Sequence, residues 1–340
     1  MSSLAVKYRP QTFEDIKGQL VTVEILKKQL ETGKISNTYL FAGPSGDGKT
    51  TTARILARAI NGTDEGTIEI DAASNNGVDN IRNIIKAAKE KSLCSEYKIF
   101  IIDEAHALTS QSFQALLKLI EEPPKYTIFI FCTTDPQKLP ATISGGRVQR
   151  FNFSKVSIKD IYLRLEYICK QEGFINYEQG IYTIAKLSNG GMRDAISMLE
   201  KCSLYSKEIT YTNVIKCIGN FSYDYFLTLT EALIDNNDKQ VITIINELDF
   251  QGINLKMFID EYLKFCIELT KYSLFNDIND TNLPEELSEA IKNICSFDRA
   301  NEYYLYIADK LLELNNVLKN EIDIKSTCLI MLLQISRCKK

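Results

Sequence analysis

Residues 43–51 read Gly-Pro-Ser-Gly-Asp-Gly-Lys-Thr-Thr, the pattern G-x-x-x-x-G-K-[S/T] in full. A loop of this composition wraps an anion closely, because glycine lets backbone N–H groups point inward. Gly43, Pro44, Ser45, Gly46, Asp47, Gly48, Lys49, Thr50 and Thr51 are therefore candidate phosphate-binding residues. In such a loop the lysine reaches the β- and γ-phosphates, and the hydroxyl at Thr50 is placed to ligate Mg²⁺. A second group of candidates is Asp103-Glu104, at the end of the apolar run Ile99-Phe-Ile-Ile. Asp103 would hold Mg²⁺, directly or through water, and Glu104 would orient or deprotonate an attacking water. Thr133-Thr134-Asp135 ends the next apolar run, where a polar side chain could sense the γ-phosphate. Arg193 follows Gly190-Gly191 at a helix start and could reach the phosphates, or could be an ordinary exposed helix residue. His106 is the single histidine, and its place after Glu104 suits a structural or supporting role better than that of the base.

These residues need a scaffold that brings strand ends together. Thr38–Phe41 reads as a strand and Thr51–Ile60 as a helix whose N-terminus would face the phosphates. Thr67–Asp71, Lys98–Asp103 and Thr127–Thr133 read as further strands. Between them, Val78, Ile81, Ile85 and Ala88 mark one helix face, and Phe113, Leu116, Leu117 and Ile120 another, ended by Pro123-Pro124. Continuously apolar strands alternating with helices indicate a parallel sheet covered on both faces. After about Phe153 strand signals fade. Asn189-Gly-Gly191 separates two helices, and the pattern from about Thr210 onward is almost wholly helical.

The bulk properties limit the alternatives. A chain of 340 residues with 45% hydrophobic content can form two or three packed domains. The N-terminus has no secretory-type apolar core, and the run from Cys328 to Leu333 is too short to span a bilayer. Nine cysteines occur without any C-x-x-C, which argues against a zinc site or disulfide framework and for a reducing, cytoplasmic setting. With a formal net charge of −4, any contact with nucleic acid must come from local patches or helix N-termini.

Taken in order, these blocks resemble the AAA+ ATPases of sliding-clamp loaders, in particular the bacterial DNA polymerase III gamma/tau type. The resemblance is carried by Lys7–Gln19, GPSGDGKTT at 43–51, IEIDAASNNGVDNIR at 68–82, IFIIDEAHAL at 99–108, QALLKLIEEPP at 114–124, CTTDPQKLPATI at 132–143 and GGMRDAISMLEK at 190–201. It covers roughly residues 5–200 and matches the last 130 residues only in length and helicity. The resemblance implies an α/β fold: an AAA+ P-loop domain with a parallel five-stranded sheet at 1–153, a small helical lid at 154–209 and a helical collar at 210–340. It implies ATP and Mg²⁺ as cofactors. Tyr8, Arg9 and Pro10 fall in the adenine-pocket segment, Thr134 at the sensor 1 position and Arg193 at sensor 2.

The same resemblance implies a five-subunit ring, with an arginine finger completing each neighbour's site. It implies a sliding clamp, primer–template DNA and other loader subunits as partners, with no membrane contact. Asn75, Asn76, Lys118, Lys138 and Thr142 match DNA-contacting positions, and the helix at 110–121 matches the clamp-facing element. Two departures stand out. The four-cysteine zinc module of many members is replaced by Asn61–Gly66, so no zinc is expected. The usual Ser-Arg-Cys finger becomes Ser144-Gly-Gly-Arg147-Val148, with Arg147 as the finger and Arg150 as a substitute. Ending at the collar, the chain resembles the short, gamma-like form. A motor ATPase is the leading expectation. A nucleotide-gated scaffold with slow turnover, a helicase loader or a Holliday-junction motor are the alternatives.

Overall fold

The computed structural model describes residues 3–92, 94–140, 143, 148–218, 223–284, 287–319 and 321–337. Two compact units divide the chain, Met1–Val214 and Ile215–Lys340. Residues 154–209 belong to the first.

The first unit is built on five parallel strands: β1 (Thr38–Ala42), β2 (Thr67–Asp71), β3 (Lys98–Asp103), β4 (Thr127–Thr133) and β5 (Gln149–Asn152), in the order β2-β3-β4-β1-β5. Residue alternation explains the unbroken apolar runs. Phe100, Ile102, Phe129 and Phe131 point into one core layer, whereas Ile99, Ile101, Ile128 and Ile130 point into the other. Both faces are covered, so every position of β1 and β4 is buried. Helices α1 (Leu4–Lys7) and α2 (Leu20–Thr32) precede β1, and α3 (Lys49–Asn61) follows it. Leu26 of α2 and Ala53 and Leu56 of α3 close one face. α4 (Val78–Lys89) and α5 (Ser110–Glu121) close the other through Ile81, Ile84, Phe113 and Leu116.

β5 is a strand that periodicity alone does not reveal. Its sequence, Gln-Arg-Phe-Asn, sits on a sheet edge with only Phe151 buried. At the opposite edge β2 is also largely accessible. Edge strands tolerate such polarity because they lack a second covering neighbour.

Beyond the sheet, the unit continues with α6 (Ile158–Glu172), α7 (Glu178–Leu187) and α8 (Met192–Tyr205). Gly190 takes a φ of +88°, and a Cβ there would lie 2.6 Å from the Lys155 side chain, so the turn between α7 and α8 requires glycine. A short helix, α9 (Tyr211–Ile218), spans the division. The second unit contains α10 (Tyr223–Ile234), α11 (Asp238–Phe250), α12 (Leu255–Phe275), α13 (Ser288–Ile294), α14 (Ala300–Leu318) and α15 (Ile324–Ser336). Its core is aromatic and aliphatic, with Phe226, Phe258, Tyr262 and Tyr304 at the centre. The phenols of Tyr262 and Tyr304 are satisfied: Tyr262 shares a hydrogen bond with Thr230 at 3.0 Å, and Tyr304 donates to the Ile294 carbonyl at 2.6 Å.

Candidate nucleotide site

In a parallel sheet all carboxyl ends share one edge, and ligand sites form there. The register aligns Ala42 with Thr133 and Asp71 with Asp103 along that edge. The loop after Ala42 therefore opens beside Asp103, Glu104 and Thr134. Gly48 caps α3 with a φ of +97°, a backbone state open to glycine and costly for other residues. Its geometry turns the chain so that the free amides of the first helical turn face outward, an arrangement suited to phosphate.

The loop is knitted together by its own side chains. Lys49 is almost fully buried and donates from Nζ to the Gly43 carbonyl at 2.9 Å, the Pro44 carbonyl at 2.5 Å and Asp47 Oδ1 at 3.1 Å. Thr50 Oγ1 donates to Asp103 Oδ2 at 2.8 Å. A hydroxyl and a carboxylate brought together this way are hard oxygen donors of the type Mg²⁺ takes, with substrate phosphates and water completing the set. The residues fit that ion.

Glu104 adopts a φ of +46°, uncommon for a residue with a Cβ. The backbone N–H of Glu104 donates to Asp103 Oδ1 at 3.0 Å, which helps to hold this turn. Its carboxylate is reached by Thr134 Oγ1 at 3.3 Å and lies 3.4 Å from His106 Nδ1. His106 Nδ1 also contacts Thr133 Oγ1 at 3.1 Å. His106 thus lies between Glu104 and Thr133, and Thr134 meets Glu104 directly.

A cavity of about 490 Å³ opens over the loop. Tyr8, Arg9 and Pro10 line it together with Lys49, Thr50, Asp103, Glu104 and Arg193. Arg193 is brought there by α8, whose first amide, that of Met192, donates to the Gly46 carbonyl at 3.1 Å. Gly43 and Pro44 contribute carbonyls to Lys49 rather than cavity wall. Burial and the neighbouring Arg54 hold the Arg9 guanidinium below its ordinary pKa, opposed by Glu69.

Several contributors are not evident from spacing alone. Arg54 forms a two-pronged pair with Glu69, at 2.5 and 2.6 Å, joining α3 to β2 at the cavity edge. Glu172 of α6 accepts from Lys7 Nζ and Tyr8 OH, both at 2.6 Å, and Arg164 donates to the Tyr8 carbonyl at 2.6 Å. Tyr8 also packs edge-on against Tyr167. These contacts join residues far apart in sequence, so only the fold exposes them.

The other expected positions are more scattered. Asn76 and Lys118 are exposed, and Asn75 is half-buried with its amide donating to the Asp71 carbonyl at 3.1 Å. Lys138 pairs with Asp135 at 3.2 Å. Arg150 lies on β5, tied to Asn152 at 2.9 Å, and does not line the cavity. Arg147 and Thr142 lie outside the described residues.

Comparison with known proteins gives the family. The chain is 31% identical to DNA polymerase III subunit gamma of Buchnera aphidicola subsp. Baizongia pistaciae, over 96% of both chains. It belongs to the DNA polymerase III gamma/tau family. To DNA polymerase III subunit tau of Bacillus subtilis it is 37% identical over 78% of this chain and 51% of that protein. To the Escherichia coli subunit tau it is 32% identical over 81% of this chain and 47% of that one. The chain thus spans about half the length of these tau relatives. Residues 67–157 match the family model for the DNA polymerase III delta subunit. The Thermotoga maritima RuvB Holliday junction branch migration motor shares the fold. It superimposes with a TM-score of 0.53 at 18% identity, covering 73% of this chain and 86% of that one.

Proposed function

We propose that this chain is an ATP-hydrolysing subunit of a sliding-clamp loader. The observation that carries the reading is the pairing of Thr50 with Asp103 beside Glu104, in a chain aligned along almost its whole length with a gamma subunit. In this reading Lys49 and the α3 amides bind the triphosphate. Tyr8, Arg9 and Pro10 receive the base end, and Arg193 contacts the terminal phosphate. Thr50 and Asp103 hold Mg²⁺, which supplies neutralising charge to the phosphates. Glu104, oriented by Thr134, accepts a proton from the attacking water as its oxygen bonds to the γ-phosphorus and ADP leaves.

The three-part division carries over into this proposal, with nucleotide binding at 1–153, a lid at 154–209 and a collar at 210–340. The collar joins subunits of a five-membered ring in the cytoplasm. Arg147 of one subunit completes the site of its neighbour. Asn75, Asn76, Lys118, Lys138 and Thr142 track the DNA backbone through neutral contacts and a few lysines, which suits an acidic chain. ATP binding then opens the clamp, and hydrolysis on primer–template DNA releases it.

Steady-state ATP hydrolysis with and without a sliding clamp and primed DNA tests the reading. Stimulation by both together supports a motor. An unchanged rate rejects the motor in favour of a nucleotide-gated scaffold.

A further inference from the structure

An acidic side chain in an anion-binding loop is an oddity of this sequence. Asp47 lies between Gly46 and Gly48, and its side chain is 1% exposed. Its Oδ1 takes one of the three N–H bonds of Lys49, the Gly43 and Pro44 carbonyls being placed to take the others. An ammonium has three donors, and these three acceptors match them. The second carboxylate oxygen, Oδ2, is buried with no hydrogen-bond partner. Room for it comes from Gly43, where a Cβ would stand 2.5 Å from Oδ2 and 2.4 Å from the Phe153 carbonyl oxygen. Gly43 therefore leaves the space that the Asp47 carboxylate occupies.

Resting on the reading that this loop binds a nucleoside triphosphate, we propose that Asp47 is a positioning residue that sets nucleotide affinity by holding Lys49 as an internal substitute for phosphate. A triphosphate must draw the ammonium from Asp47 and settle its own negative charge near a buried carboxylate. Both effects weaken binding, since like charges separated by low-dielectric protein repel strongly. Burial pushes the Asp47 carboxyl above its usual range, with the Lys49 charge opposing that push. A triphosphate at the loop would disturb the Asp47–Lys49 contact.

The test is a titration of the full chain with ATP by calorimetry, for the wild type, Asp47→Asn and Asp47→Thr. Asparagine keeps the volume and removes the charge. The expected result is about tenfold tighter ATP binding by Asp47→Asn, a lower KM, and an unliganded melting temperature no lower than wild type. Equal or weaker ATP binding in Asp47→Asn overturns the proposal, because a purely structural aspartate would loosen the loop when replaced. If Asp47→Asn does not fold, Asp47→Thr decides by the same criterion. Absence of ATP binding in the wild type itself would instead reject the nucleotide-site reading.

Discussion

Thr50 Oγ1 donates a 2.8 Å hydrogen bond to Asp103 Oδ2, joining the first turn of α3 to the end of β3 across the carboxyl edge of the sheet. Two residues from separate motifs are thereby held as one oxygen-donor pair. Thr50→Ala removes one donor and frees the other to rotate. Turnover should fall by about 100-fold, because preorganised charge at a phosphoryl-transfer site carries effects of that size. A Mg²⁺ titration of the ATPase should show a higher half-saturating concentration. Unchanged Mg²⁺ dependence would remove Thr50 from the ion site.

Lys49→Ala should weaken ATP binding by about 100-fold or more, given the strength of charge-assisted contacts to phosphate. It also strands the buried Asp47 carboxylate. The sign of the pH effect follows from the direction of the Asp47 shift. Its folded pKa is raised above the unfolded value of 3.8, so the protonated form is favoured in the fold. That contribution is present below pH 3.8 and is lost as pH rises through the folded value. Without Lys49 to oppose it the shift grows. The melting-temperature deficit of Lys49→Ala relative to wild type should therefore be larger at pH 8 than at pH 5. An equal deficit at both values would mean that Asp47 does not titrate with the loss of its partner.

Gly43→Ala should destabilise the protein by about 1–3 kcal/mol, the usual range for forcing atoms into a packed site. The added Cβ would meet the Phe153 carbonyl oxygen at 2.4 Å, a backbone atom that cannot simply rotate away. Thermal unfolding reads the loss. A melting temperature equal to wild type would show that β1 and the segment after β5 can separate freely there.

Glu172→Gln should weaken ATP binding several-fold while leaving kcat nearly unchanged, because Glu172 acts through Tyr8 and Lys7 rather than on the phosphates. Hydrogen bonds from Lys7 and Tyr8 hold its carboxyl below the ordinary value of 4.5. A depressed carboxylate contributes stability above pH 4.5 and loses it as pH falls through the folded value. The stability deficit of the variant should accordingly be constant above pH 4.5 and shrink as pH falls below it, as read by thermal unfolding across pH 3 to 7. A variant defective mainly in kcat would contradict this placement.

Much of this fold is legible in the bare chain, and the reason is burial. Lys98–Asp103 and Thr127–Thr133 stand out as strands because both faces of β3 and β4 are covered, which forces unbroken apolar runs. Asn189-Gly-Gly191 marks the break between α7 and α8 because Gly190 needs a positive φ. β5 escapes the same reading because an edge strand with one buried residue carries little apolar signal. Lys49, Thr50, Asp103 and Glu104, which share one cavity, can be picked out of the sequence because a phosphate site calls for those types at those spacings. The Arg54–Glu69 and Tyr8–Glu172 contacts are not, since they depend on which helices and strands meet. Asp47 was visible as a loop residue, but its bond to Lys49 emerges only from the geometry.

The central claim is that this loop and Glu104 form a hydrolytic ATP site, and Glu104→Gln tests it most directly. Glutamine keeps a partner for Thr134 but cannot accept a proton from water. Measured with saturating ATP, a sliding clamp and primed DNA, Glu104→Gln should bind ATP within about threefold of wild type while turnover falls by about 100-fold or more. Wild-type turnover in Glu104→Gln would contradict the account.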